Sequence, residues 1–374
     1  MFIDTDNPVT MTKLKEPFFA MRDEAAILRH ILPSSEKSSF WGDFTNLFTF
    51  ALDFSEESLK NIRLHTPLFT GVPILNHAHQ PYRFKSDLEK EKVPMIQQYN
   101  ILTQHIPERY HCSEPVTTPL IDIIGLHYMG RFITDDLIRY QRCINNLYMS
   151  GCFDYLESVS RPIAVEVGGG YGSLAHQISK IIGDLSYIIL DIPESLFWSA
   201  AYLINNNPQK SFYIYQKEDF HTIIDPERLK AIDFLFLPNY MVQSLKFINE
   251  LNLLLNLLSF QEMTTEQVTE YAQIVGSTLK GFIYSENFKK HWLNTQLTSD
   301  VHEILSCYYS LVPDKSVYLT MPIANDPEIP GHLWDLFPFI GTGKAHPVPI
   351  NFIRNLFYTP YGCIGDGSSN ERQQ

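Results

Sequence analysis

Residues 163–172 read Ile-Ala-Val-Glu-Val-Gly-Gly-Gly-Tyr-Gly. The apolar run Ile163–Val167 suits a buried strand, and it gives way to glycines at 168, 169, 170 and 172. From Ser173 the pattern turns helical, with Leu174, Ile178 and Ile181 spaced at i, i+4 and i+7. Glycine has no Cβ and accepts positive φ, so such a turn lets the backbone bend sharply and lie against a ligand. Glu166 is an acid inside an otherwise apolar strand, and a buried carboxylate is costly unless paired or neutralised. Its placement therefore favours a cationic ligand. A carboxylate that only satisfies nearby backbone amides is the alternative.

Working outward, further buried strands are expected at Tyr187–Leu190, Phe212–Tyr215, Phe234–Leu237, Leu251–Leu258 and Phe282–Tyr284. Helices are expected at Ser173–Ile182 and Glu194–Ile204, the second stopped by Asn205-Asn206-Asn207-Pro208. Thr264 with Gln267 three residues later reads as a capping box opening another helix. Strand and helix in alternation, with continuously apolar strands, predicts an α/β fold with a doubly wound, mostly parallel sheet over residues 158–364. In such sheets ligands bind beyond the carboxyl ends of the strands. The glycine turn, Asp191, Ser259–Met263 and Asn287–His291 each follow a strand end, so they are expected to meet in one cleft. Residues 1–157 show helical periodicity at Glu24–Leu32 and Asp135–Met149 and no sustained strand alternation, which predicts a mainly helical N-terminal domain. The polar segment 365–374 is expected to be a disordered tail.

The 374 residues carry a formal net charge of −13, which repels phosphate backbones and argues against nucleic acid as a partner. The five cysteines are scattered without a Cys-x-x-Cys pair, so neither zinc nor a disulfide framework is indicated and a reduced cytoplasmic compartment fits. Met1–Lys15 lacks the apolar stretch of a secretory signal. The apolar run Leu251–Leu258 is too short to span a bilayer, which needs about 20 residues. His77-Ala78-His79 lacks convergent acids, so no metal is expected there. A homo-oligomer stays open.

Two cofactors compete for the turn. Gly168-x-Gly170-x-x-Ser173 nearly matches the dinucleotide fingerprint, and Asp191 stands about 20 residues on, where a ribose-binding acid is expected. That keeps NAD, and hence an oxidoreductase, in play. Against it, Glu166-x-Gly168-x-Gly170 resembles motif I of class I S-adenosylmethionine-dependent methyltransferases, whose cofactor has an ammonium group and no pyrophosphate. Together with Asp191-Ile-Pro-Glu and Ser259-Phe-Gln-Glu-Met263, followed by a helix carrying Tyr271, the chain resembles the sugar O-methyltransferases of bacterial glycan and antibiotic gene clusters. The resemblance spans residues 160 to about 292, with a weaker echo from Ile124-Gly125 to Arg139.

This resemblance implies a Rossmann-like fold and S-adenosylmethionine as cofactor. It implies cofactor contacts from Glu166, Gly168, Gly169, Gly170, Tyr171, Gly172, Asp191, Ser259 and Gln261. The reaction would be methyl transfer to a hydroxyl of a sugar or glycosylated small molecule, with a phenolic or polyketide acceptor second. A protein that binds cofactor without catalysis is the non-enzyme alternative. Such a reaction needs a base near the strand ends. Glu262 is the first candidate and His291 the second, although Glu262 also suits a first-turn acid and His291 a surface loop.

Overall fold

A computed structural model describes residues 1–3, 11–28, 41, 55–66, 85–116, 124–218, 223–288, 294–313 and 336–350. Its strands are β1 Phe2–Ile3, β2 Gly125–Tyr128, β3 Arg131–Thr134, β4 Ile163–Val167, β5 Ser186–Asp191, β6 Phe212–Ile214, β7 Phe234–Pro238, β8 Leu251–Leu257, β9 Leu279–Phe288, β10 Tyr309–Pro313 and β11 Leu336–Gly343. Its helices are α1 Met11–Leu28, α2 Glu56–Lys60, α3 Lys85–Thr103, α4 Asp135–Met149, α5 Cys152–Ser158, α6 Ser173–Ile181, α7 Pro193–Asn206, α8 Pro226–Leu229, α9 Thr265–Thr278 and α10 Val301–Ser306.

Nine strands form one sheet in the order β1-β6-β7-β5-β4-β8-β9-β11-β10. The six strands from β6 to β9 in that order run parallel. β11 is antiparallel to β9, β10 to β11, and β1 to β6. The doubly wound α/β architecture expected from the alternating pattern is present. The chain leaves β4 toward β5 and β7, then returns across β4 to lay β8 on its other side. The switch point is therefore between β4 and β8, where the ends of two neighbouring strands diverge and open a crevice.

Each strand of the central four is buried along its whole length apart from Asp191, which is partly exposed. That is why these segments read as mostly apolar runs, interrupted by Glu166, Asn252 and Asn256, rather than alternating ones. Thr264 caps α9 through the Gln267 amide, and the reciprocal Gln267 contact completes the capping box.

The expected strand Phe234–Leu237 is present between β5 and β6, and its end, Pro238, pairs with Asp191. Two details depart from the sequence expectation. β9 runs on to Phe288, so Asn287 lies within the strand; Ser285, Glu286 and Asn287 are polar yet buried because β11 pairs with them. Within the segment read as helical, β2 and β3 form a hairpin. Its two-residue turn, Met129-Gly130, has φ of 48° and 74°, the left-handed pair of a type I′ turn. Methionine at the first of those positions hides the usual Asn-Gly or Asp-Gly signal.

The N-terminal elements are packed onto the sheet. α1 lies against α7. Ile3, Leu14, Phe18, Met21 and Ala25 belong to the same contiguous core as Val165, Ile188, Leu235 and Leu254. None of the described helices is long and apolar enough to cross a membrane.

Candidate functional site

The turn after β4 is left-handed at Gly168 (φ 78°), Gly170 (54°) and Gly172 (91°). Space as well as conformation demands glycine there. A Cβ on Gly168 would fall 2.2 Å from Ser259 Cβ and Oγ, and one on Gly169 would fall 2.5 Å from Ile189 Cγ2. The turn is thus pressed between β5 and the segment that follows β8.

Asp191 closes the turn from one side. Its carboxylate accepts from the Ser195 hydroxyl at 2.6 Å and from the Ile192 amide at 2.8 Å. The nearby backbone N–H groups of Gly169 and Gly170 also favour its ionised form. Burial pushes its carboxyl up to about 6 against the pull of these donors.

Glu166 is buried beneath the turn and accepts from the Tyr187 hydroxyl at 2.8 Å. Burial pushes its carboxyl up to about 8; the Tyr187 bond opposes this and the charge of Asp191 adds to it.

Across the crevice, β8 is followed by Leu258, a non-glycine residue at φ 63° whose N–H donates to the Glu286 carbonyl at 2.7 Å. A left-handed leucine is strained and needs its surroundings to hold it. Asn256 and Asn287 supply that support. Asn256 donates to the Val167 carbonyl at 2.9 Å and accepts from the Phe260 amide and from Asn287. Asn287 in turn accepts from the Gln261 amide at 3.2 Å. The Gln261 side chain accepts from the Phe288 amide at 2.6 Å. Its oxygen thus ties the turn to β9.

Ser259 stands at the mouth of this turn with its hydroxyl buried and, among the described residues, without a hydrogen-bond partner. A buried polar atom left this way is unusual and suits a site completed by a ligand. Glu262 follows, half-buried, accepting from the Trp41 indole N–H at 3.0 Å. Burial pushes its carboxyl up to about 8; the Trp41 bond opposes the rise, Asp191 adds to it, and the positive charge of Arg139 opposes it.

Of the expected site residues, the structure brings Glu166, the glycines 168–172, Asp191, Ser259 and Glu262 together at the switch point. Tyr171 points elsewhere: its ring is fully buried, and its hydroxyl donates to Glu114 at 2.8 Å. His291 and the His77-Ala78-His79 pair lie outside the described residues. No metal-binding group of three or more His, Cys, Asp or Glu occurs among the described residues.

Arg139 and Tyr140 on α4, Tyr187, Ser195, Asn256 and Trp41 were not read from sequence as site residues, whereas Asn287 belongs to the segment Asn287–His291 expected in the cleft. The stretch Ile124–Arg139 carried a signal for the first of these. The others are single polar residues inside or beside apolar runs, with no spacing to mark them.

No protein-family model matches the sequence, and no curated protein does. Solved structures do show likeness. The N-methyltransferase NodS from Bradyrhizobium japonicum WM9 is 10% identical, with a TM-score of 0.34, over 57% of this chain and 99% of that one. The mitomycin 7-O-methyltransferase MmcR is 11% identical, with a TM-score of 0.30, over 55% of this chain and 56% of that one. A precorrin-6y C5,15-methyltransferase from Geobacter metallireducens GS-15 is 14% identical, with a TM-score of 0.30, over 51% and 84%. Likenesses this distant leave the reading of the site to its own residues.

Proposed function

We propose that the chain is an S-adenosylmethionine-dependent O-methyltransferase whose acceptor is the hydroxyl of a sugar or glycosylated small molecule. One observation carries the reading. Three carboxylates, Glu166, Asp191 and Glu262, surround the switch-point crevice with raised affinity for protons. Such a crevice suits a cationic ligand better than a pyrophosphate, whose negative charge these acids would oppose. Desolvated acids near one another attract positive charge more strongly than they would in water.

When bound, S-adenosylmethionine supplies an electrophilic methyl group. In this reading Glu166 holds the ammonium end beneath the turn, Asp191 receives the ribose hydroxyls, and the Ser259 hydroxyl gains its missing partner. Glu262 takes the proton from the acceptor hydroxyl, its carboxylate oriented by the Trp41 indole. A carboxyl near pH 8 is mostly protonated at neutral pH. A cation beside it stabilises the ionised, basic form. Proximity and alignment make up most of the acceleration, and a positioned base adds about 10²–10⁴-fold. The buried, unpaired Cys112, Cys143 and Cys152 suit a reducing, cytoplasmic setting.

Calorimetry with S-adenosylhomocysteine and with NAD, on the wild type and on Asp191→Ala, tests the reading. Binding of the first alone, weakened in the variant, is the expected result. Tight NAD binding without S-adenosylhomocysteine binding would overturn it.

A further inference from the structure

Between Gly168 and Gly172 only Tyr171 has a side chain, so it is the one handle by which other residues can grip this turn. Its hydroxyl reaches Glu114, a carboxylate buried to 2% exposure. The same Glu114 oxygen accepts from Arg63 at 3.1 Å, Thr134 at 3.4 Å and Ser173 at 3.4 Å; its other oxygen accepts from the Tyr202 hydroxyl at 2.8 Å. Arg63 is itself buried, stacks over the Tyr171 ring at 4.5 Å, and also reaches Thr134 at 3.2 Å and Asp136 at 3.3 Å.

These contacts join separate parts of the chain. Arg63 sits in the 3₁₀ turn Ile62–Leu64, and Glu114 lies beside β3, its amide bonded to the Phe132 carbonyl at 2.9 Å. Tyr171 is in the glycine turn, Ser173 opens α6, and Tyr202 is on α7. Asp136 stands in the first turn of α4, one turn from Arg139 and Tyr140. The Tyr140 and Tyr171 rings meet edge-on at 6.3 Å.

Charged groups this deep are held by their partners, because an unpaired one would be expelled or neutralised. The cluster has two acids and one base, so its attachments to the turn are charge-assisted and geometrically demanding. A stretch of four glycines has more conformations to lose on binding than any other sequence. A single anchored tyrosine within it removes much of that freedom beforehand.

We propose that Arg63, Glu114 and Tyr171 form a positioning device through which segments 55–66 and 108–116 hold the glycine turn in its ligand-receiving shape. The device concerns the turn itself; only the choice of ligand probe rests on the function proposed above.

Tyr171→Phe and Tyr202→Phe each delete one hydroxyl bond to the same carboxylate, but only the first lies in the turn. Hydrogen exchange of the ligand-free protein should show the amides of 168–173 exchanging about tenfold faster in Tyr171→Phe, the size of one net hydrogen bond. β8 amides should be unchanged in that variant, and Tyr202→Phe should leave the turn as in the wild type. The dissociation constant for S-adenosylhomocysteine should rise about tenfold in Tyr171→Phe alone.

Equal exchange at the turn in the two variants, or wild-type exchange in Tyr171→Phe, overturns the device. If Tyr171→Phe does not fold, Arg63→Lys takes its place. It keeps the charge and loses the stacking, and unchanged turn exchange in it overturns the device equally. A wild type that shows no heat with S-adenosylhomocysteine overturns the cofactor reading instead, and the exchange comparison still decides the device.

Discussion

Replacing Glu166 by glutamine tests what the acid beneath the turn does. In the folded, ligand-free protein its carboxyl titrates at about 8, against 4.5 for an ordinary glutamate, because it is buried. Between those two values the folded chain keeps a proton that the unfolded chain has released. The contribution to stability is therefore full below about pH 4.5 and is lost as pH rises toward 8. An interval of roughly 3.5 pH units at about 1.4 kcal/mol each sets an upper scale of about 5 kcal/mol. Relaxation and water entry reduce this, so a loss of about 2–5 kcal/mol is expected. Glutamine keeps an acceptor for the Tyr187 hydroxyl and does not titrate. Urea unfolding at intervals from pH 5 to 9 should show the wild type losing about that much relative to Glu166→Gln. Saturating S-adenosylhomocysteine, whose ammonium would favour the ionised acid, should shrink the loss. Parallel stability curves for the two proteins would refute the assignment of a buried, proton-holding Glu166.

Other outcomes follow from the same geometry. Gly168→Ala puts a Cβ against Ser259 at a left-handed φ and should destabilise by about 1–3 kcal/mol, with a weaker dissociation constant for S-adenosylhomocysteine measured by calorimetry. Glu262→Gln should reduce turnover about 10²–10⁴-fold and leave S-adenosylhomocysteine affinity near the wild-type value; unchanged turnover would remove it as the base. Arg142→Met strands the fully buried Glu286 without its bidentate partner, and denaturation should show a loss of about 3–5 kcal/mol that Arg142→Met/Glu286→Gln largely restores. Burial lowers the His176 imidazole to about 4, so folding loses stability as pH falls from 6.5 toward 4. His176→Gln should make that acid limb shallower in the same unfolding series.

The parts of the fold that were legible in the sequence are those set by short-range patterns. Ile163–Val167 followed by four glycines gave the central strand and turn, and Thr264 with Gln267 gave the start of α9, because each signal is complete within a few residues. The longer-range features had no such pattern. Glu114 meets Tyr171 and Tyr202 at separations of 57 and 88 residues, and nothing near position 114 marks it as a partner of the glycine turn. The extension of β9 through Ser285-Glu286-Asn287 was hidden because its polar residues are buried by a strand that comes much later in the chain. The same holds for the crevice. Asp191 was readable as a strand-end acid, yet its closeness to the glycine turn depends on how two strand ends meet.

The separations within the Glu114 cluster also bear on synthesis. A ribosome adding about 5–20 residues each second exposes Arg63 and Glu114 several seconds before Tyr171 and Tyr202 exist to receive them. Phe2–Ile3 waits longer still for Phe212–Tyr213, its partner at the sheet edge. During that interval the early segment must keep its charges in water and its apolar faces uncovered. The N-terminal chain thus completes its contacts only once residues 171–213 have been made, the glycine turn among them.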